Sequence, residues 1–219
     1  MPRTHQFGHL LLLWGATALC LFLFGPSISA AGARPQQDQT THTNDHHKQS
    51  AVKDQAAREE TVKLSIPDLS LLDQQGRKIR FYSDLVKGKT VAINFIFTTC
   101  TASCPPLTAT FRKVQQSAAE RGLPLQLISI SVDPTVDTPE RLHAFAEKFN
   151  AGPGWTFITG DKVVIDSLLN GLGAPVTNKN DHTPMIMIGN DGADYWTRAY
   201  GLSSPSQLID QIAGAAARH

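Results

Sequence analysis

Hydrophobic positions first gather without any charged interruption. Leu10 to Phe24 is an uncharged run of 15 residues, preceded by Arg3, His5 and His9 and ended by Gly25, Pro26 and the largely small residues Ser27 to Ala33. That pattern predicts a secretory signal over residues 1–33, or a membrane anchor if it is not cut. The run is shorter than the roughly 20 residues a spanning helix needs, although Gly25 to Ala31 would lengthen it. Cys20 follows Leu19, where a bacterial lipoprotein signal requires a small residue, so lipid attachment at Cys20 is not expected. From Arg34 to Glu60 the apolar signal vanishes, with Val52 the only large aliphatic side chain. Such a stretch cannot bury enough surface to fold and reads as a flexible polar linker, long enough to hold a domain off a membrane. Its His42, His46 and His47 can also gather a metal ion transiently.

From Thr61 to His219 the pattern becomes that of one folded domain. Leu69–Leu72 and Ile79–Tyr82, around Asp73-Gln-Gln-Gly76, read as a hairpin. Val91 to Phe97 is almost continuously apolar and rich in β-branched and aromatic residues, which predicts a strand buried on both faces. After Cys104 and Pro105, Leu107, Phe111, Val114 and Ala118 fall at helical spacing until Gly122 and Pro124. Leu125–Val132 is a second buried strand, and Thr138 with Pro139 opens a helix whose apolar face is Leu142, Phe145, Ala146 and Phe149. Trp155–Thr159 is extended, Val163–Leu172 helical and Met185–Ile188 a further strand. Asp191-Gly192 predicts a turn to Tyr195–Ala199, and Ser204-Pro205 starts a last helix through Leu208, Ile209 and Ile212. The order is that of an α/β, thioredoxin-like fold: a central mixed β-sheet flanked by helices, with an N-terminal hairpin. Topology alone does not decide function.

Composition narrows the chemistry. Lys and Arg number 20 against 19 Asp and Glu, and no basic run interleaved with aromatics occurs, so nucleic-acid binding is discarded. Three cysteines cannot build a disulfide scaffold, and only Cys100 and Cys104 survive if the signal is cut. No P-loop, dinucleotide-binding glycine fingerprint, nucleophile-elbow serine or His-Glu-x-x-His metalloprotease signature is present. Cys100 and Cys104 stand four apart where a buried strand gives way to a helix, so their sulfurs can meet. Amides and dipole at a helix N-terminus favour thiolate, as both nucleophilic and soft-metal chemistry require. His182, in Asn180-Asp-His-Thr-Pro-Met185, enters the next strand beside Pro184, which fits where no ladder N–H is needed. Two thiolates and an imidazole make a three-coordinate soft site suited to copper(I), with Asp181 as a group that can orient His182 or simply face solvent. The Val132 to Glu140 segment is assigned a turn and a helix cap, and no chemistry.

Three motifs, Phe95 to Pro106, Val132 to Leu142 and Asp181 to Pro184, make the chain resemble the SCO/SenC family of copper-binding, thioredoxin-like cytochrome c oxidase assembly proteins. The resemblance covers about Leu64 to Ile212 and includes Trp155 to Asp161 and Tyr200 to Leu202. It implies a copper ion bound by Cys100, Cys104 and His182, and a metallochaperone serving the dinuclear copper centre of cytochrome c oxidase. The expected partners are a copper-acceptor protein such as an oxidase subunit, and a thioredoxin-like reductant. The domain is expected in the periplasm or tethered to the outer face of the cytoplasmic membrane through the N-terminal segment. Thr101 stands where many members have proline, and Pro184 where many lack it. These departures keep open a second function, thiol:disulfide exchange, in which Cys100 attacks, Cys104 resolves and His182 only tunes the thiols. Peroxidase chemistry ranks third, since it needs a pocket of polar groups that the sequence does not place.

Overall fold

The computed structural model describes residues 60–180 and 184–219. The signal segment, the polar stretch before Glu60, and Asp181, His182 and Thr183 lie outside the described residues. Eight strands form one mixed sheet: β1 (Glu60–Thr61), β2 (Ser70–Asp73), β3 (Lys78–Arg80), β4 (Thr90–Ile96), β5 (Gln126–Ser131), β6 (Trp155–Thr159), β7 (Met185–Asn190) and β8 (Tyr195–Tyr200). Their order is β1-β8-β7-β4-β5-β6-β2-β3. Only β4, β5 and β6 run parallel. Their connections carry α1 (Cys104–Glu120) and α2 (Pro139–Lys148), while α3 (Lys162–Gly171) follows β6 and α4 (Pro205–Ala216) closes the chain. The mixed α/β, thioredoxin-like architecture is the one the apolar pattern predicts.

Alternation along the strands divides the core into two layers. Ala92, Ile96, Leu127, Phe157, Ile186 and Ile188 face α1, α2 and α4. Val91, Ile93, Phe95, Ile128, Ile130 and Met187 face α3 and the hairpin side. Every residue of β4 is buried, as a central strand covered on both faces requires. One polar group crosses this apolar strand: Asn94 accepts from the Ser129 hydroxyl at 2.6 Å, and Ser129 accepts from the Trp155 indole at 2.9 Å. On the helix side, Leu107, Phe111, Val114 and Ala118 of α1 are all buried, the stripe expected from their spacing.

Two connections differ from expectation. The second hairpin strand stops at Arg80, and Phe81–Val86 winds into a π-helical turn that buries Phe81, Leu85 and Val86. Asp68 causes this by accepting from the Tyr82 and Ser83 amides at 3.1 Å each and from the Ser83 hydroxyl at 2.7 Å. The Asp191-Gly192 connection is a turn of 3-10 helix, Asp191–Ala193, followed by Asp194 in the left-handed region at φ 47°. Asp191 cannot serve a two-residue turn because its carboxylate accepts from the Gly88 amide at 2.7 Å and its own amide donates to the Lys89 carbonyl at 3.1 Å. The short β1, pairing Glu60 with Arg198, was not legible in the hydrophobic pattern.

Candidate metal and redox site

The site lies where β4 ends. Beyond Ile96, the Cys100 amide donates to the Phe97 carbonyl at 3.1 Å, which turns the chain back toward the start of α1. Cys104 is the first residue of α1, so its amide has no partner within the helix. It donates instead to the Cys100 sulfur at 3.4 Å. Both cysteines are free thiols, Cys104 buried and Cys100 half-buried. Sequence spacing places both sulfurs at the helix, but only Cys104 belongs to it; Cys100 hangs in the turn before it, facing the amides.

That placement splits the pair instead of favouring thiolate on both. Partial burial pushes the Cys100 thiol up, but hydrogen bonds from the Cys104 thiol, the Cys104 and Ala102 amides and Ser103 outweigh it and hold Cys100 below the ordinary thiol value. Burial first, then the neighbouring Cys100 sulfur, pushes Cys104 up to about 12. One sulfur is therefore the ready donor and nucleophile, and its partner holds its proton until a metal or disulfide takes its place.

Cys100 opens on a cavity of about 260 Å³. Phe97 and the Thr99–Ser103 loop form one side, and Lys179 and Asn180 the other. Lys179 is held there by an ion pair with Asp133 and by its ammonium lying 5.5 Å from the centre of the Phe97 ring. On the far side of residues 181–183, the Pro184 carbonyl accepts from the Gly201 amide at 2.8 Å, and β7 begins beside β4 with Ile186 opposite Asn94. A larger cavity of about 640 Å³ lies at the opposite end of the sheet around Lys89, Gln126 and Arg218, and no cysteine lines it.

The structure thus brings Cys100 and Cys104 together. His182 and Asp181 lie outside the described residues, and among those described no group of three His, Cys, Asp or Glu side chains gathers. Sequence reasoning missed Asp133, Asp137 and Lys179. Thr138 does cap α2, accepting from the Arg141 amide at 3.4 Å, as its position before Pro139 predicts. The aspartates of the same segment, however, face back to the site: Asp133 to Lys179, and Asp137 to Thr98 of the cysteine loop. An acidic residue in a turn after a buried strand is the only local signal for this. Its target is 39 residues away, which no local pattern encodes.

Comparison with known proteins places this geometry in a family. The SCO1/SenC family model matches residues 57–217. The chain is 31% identical over 100 residues to the SCO1 protein homolog of Bacillus subtilis (strain 168), covering 45% of this chain and 51% of that one. To a candidate copper-binding protein of Stutzerimonas stutzeri it is 33% identical over 112 residues, covering 51% of this chain and 53% of that one. These matches span about half the length of either relative. The solved structure of BsSco, described as a Sco-family cytochrome c oxidase assembly protein with a disulfide switch, superimposes with a TM-score of 0.61 at 25% identity, covering 72% of this chain and 96% of that one. With the family model spanning the sheet, all four helices and the cysteine loop, the chain belongs to the SCO1/SenC family.

Proposed function

We propose that the chain is a copper(I) metallochaperone serving the dinuclear copper centre of cytochrome c oxidase, with Cys100, Cys104 and His182 as its copper ligands. The observation that carries this reading is a pair of free cysteines, joined by the Cys104 amide on the Cys100 sulfur, of which Cys100 lines a cavity whose opposite wall ends at Asn180, two residues before His182. Two residues of chain span at most about 7 Å, a length that allows His182 to serve this cavity as a ligand. Thiolate and imidazole are soft and borderline donors that favour copper(I) over oxygen-seeking ions. Two thiolates with one cuprous ion leave a single negative charge, and a neutral imidazole completes the set without adding more. The relative named as a candidate copper-binding protein and the oxidase-assembly family to which BsSco is assigned support the same cargo and destination.

Release follows from the same arrangement. Cys100 is half-buried and faces the cavity, so an acceptor's thiolates can approach the metal on that side while Cys104 remains enclosed. Residues 1–33 direct export or anchor the chain, 34–59 tether it, and 60–219, with Glu60 already paired in the sheet, form the copper domain in the periplasm or on the outer face of the cytoplasmic membrane. Its partners are a copper-acceptor oxidase subunit and a thioredoxin-like reductant.

The split between the thiols also favours a second reading, dithiol:disulfide exchange with Cys100 attacking and Cys104 resolving. His182→Ala separates the two. With His42, His46 and His47 changed to alanine, the chain should lose tight copper(I) binding on His182→Ala, measured against a competing chelator, and keep its exchange with glutathione disulfide. Unchanged copper affinity in that variant sinks the three-ligand site and leaves exchange as the function.

A further inference from the structure

Asp137 is completely buried, yet it belongs to neither the sulfur pair nor the copper-binding histidine segment. Its own amide donates to the Asp133 carbonyl at 2.9 Å, and every hydrogen bond to its side chain comes from a donor aimed at the carboxylate. The Thr98 amide lies 3.1 and 3.2 Å from its two oxygens, the Thr98 hydroxyl donates at 2.6 Å, and the Ser131 hydroxyl donates to the other oxygen at 2.6 Å. Ser131 is the last residue of β5 and fixed by the sheet, whereas Thr98 is the second residue past β4 and two before Cys100. The carboxylate therefore fastens the root of the cysteine loop to the rigid end of the sheet. From that root the chain makes the turn closed by Cys100 N–H on Phe97 and delivers the Cys100 sulfur to the Cys104 amide. A loop free at Thr98 would keep both cysteines and lose the register between them, since two residues of slack exceed the tolerance of about 0.5 Å that a preorganised site demands.

We propose that Asp137 is a positioning residue for Cys100, holding its sulfur against the start of α1 through Thr98 so that the pair acts as one site. The inference deepens the copper reading but applies to any joint use of the two sulfurs. Its test therefore includes a readout that needs no metal. In the full chain, Cys100 thiolate attacks one sulfur of glutathione disulfide and expels a glutathione thiolate. Cys104 then gives up its proton and attacks the Cys100 sulfur of the mixed disulfide, expelling the second glutathione. The protein dithiol loses two electrons and one glutathione disulfide becomes two glutathione thiols. The equilibrium constant of this exchange measures how well Cys100 is presented to Cys104.

Asp137→Asn, which offers one acceptor oxygen where the carboxylate offers two, should lower that constant on the order of tenfold. Thr98→Val, which keeps the shape and the amide contact but removes the 2.6 Å hydroxyl bond, should lower it severalfold and decides the matter if Asp137→Asn fails to fold. Copper(I) affinity should fall in the same order. Asp68→Asn, which loosens the hairpin side away from the cysteines, should reduce stability and leave the exchange constant unchanged. Native exchange in folded Thr98→Val, or an equal fall in Asp68→Asn, overturns the positioning role. If the native chain fails to take up copper(I), the chaperone reading falls, while the glutathione equilibrium still scores Asp137.

Discussion

Two sulfurs of the same chemical kind are given different jobs by a few ångströms of surroundings. Cys100 collects the hydrogen bonds of a helix start and is held low, whereas Cys104, one turn on, is enclosed by the core and pushed up to about 12. At pH 7, iodoacetamide should therefore label Cys100 well before Cys104, with peptide mass spectrometry giving the order; equal labelling would show that the helix start does not discriminate. Elsewhere, hydrogen bonds from the Ser83 hydroxyl and amide, then Arg80, hold the partly exposed Asp68 carboxyl down from 3.8 to about 2. A carboxyl depressed in the fold contributes stability that is complete above its unfolded value of 3.8 and is lost as pH falls toward about 2. The melting temperature of Asp68→Asn should lie below native between pH 5 and 7, and the gap should narrow as pH falls from about 4 to about 2. At this scale the cysteines were legible because their spacing is a local fact. Asp137 was not, because Thr98, its partner, is distant in the chain and the same Asp-Thr-Pro sequence also satisfies a helix cap.

Elements were legible wherever burial set a period. β4 reads directly from its sequence because both faces are covered, and α1 because Leu107, Phe111, Val114 and Ala118 repeat on one face. Where a side chain far along the chain captured backbone groups, the pattern misled: Asp68 turns the end of the hairpin into a π-helical turn, and Asp191 lengthens the β7–β8 connection. Pairing across that connection also explains a glycine inside a strand. Gly189 lies opposite Trp196, and a Cβ there would sit 2.3 Å from the indole Cε3. Gly189→Ala should destabilise the fold by about 1–3 kcal/mol in urea unfolding. Adding Trp196→Leu should make the pair less damaging than the sum of its parts, whereas simple additivity would rule out the clash as the cause.

At the scale of the whole molecule, the described residues form a thioredoxin-like domain that carries the Cys100 and Cys104 pair at one end of its sheet. The three motifs pointed to the family that comparison establishes. The β5–α2 loop ties the site together, with Asp137 fastening the cysteine loop and Asp133 fastening the strand-entry segment through Lys179. No stretch of sequence announces that role, because it exists only once three loops meet at one end of the sheet. The central claim is that Cys100, Cys104 and His182 hold copper(I) together. X-ray absorption of the chain loaded with one equivalent of copper(I), its linker histidines changed to alanine, tests this most directly. The account predicts two sulfur donors and one nitrogen donor, with the nitrogen lost in His182→Ala; a coordination shell that His182→Ala leaves unchanged would contradict it.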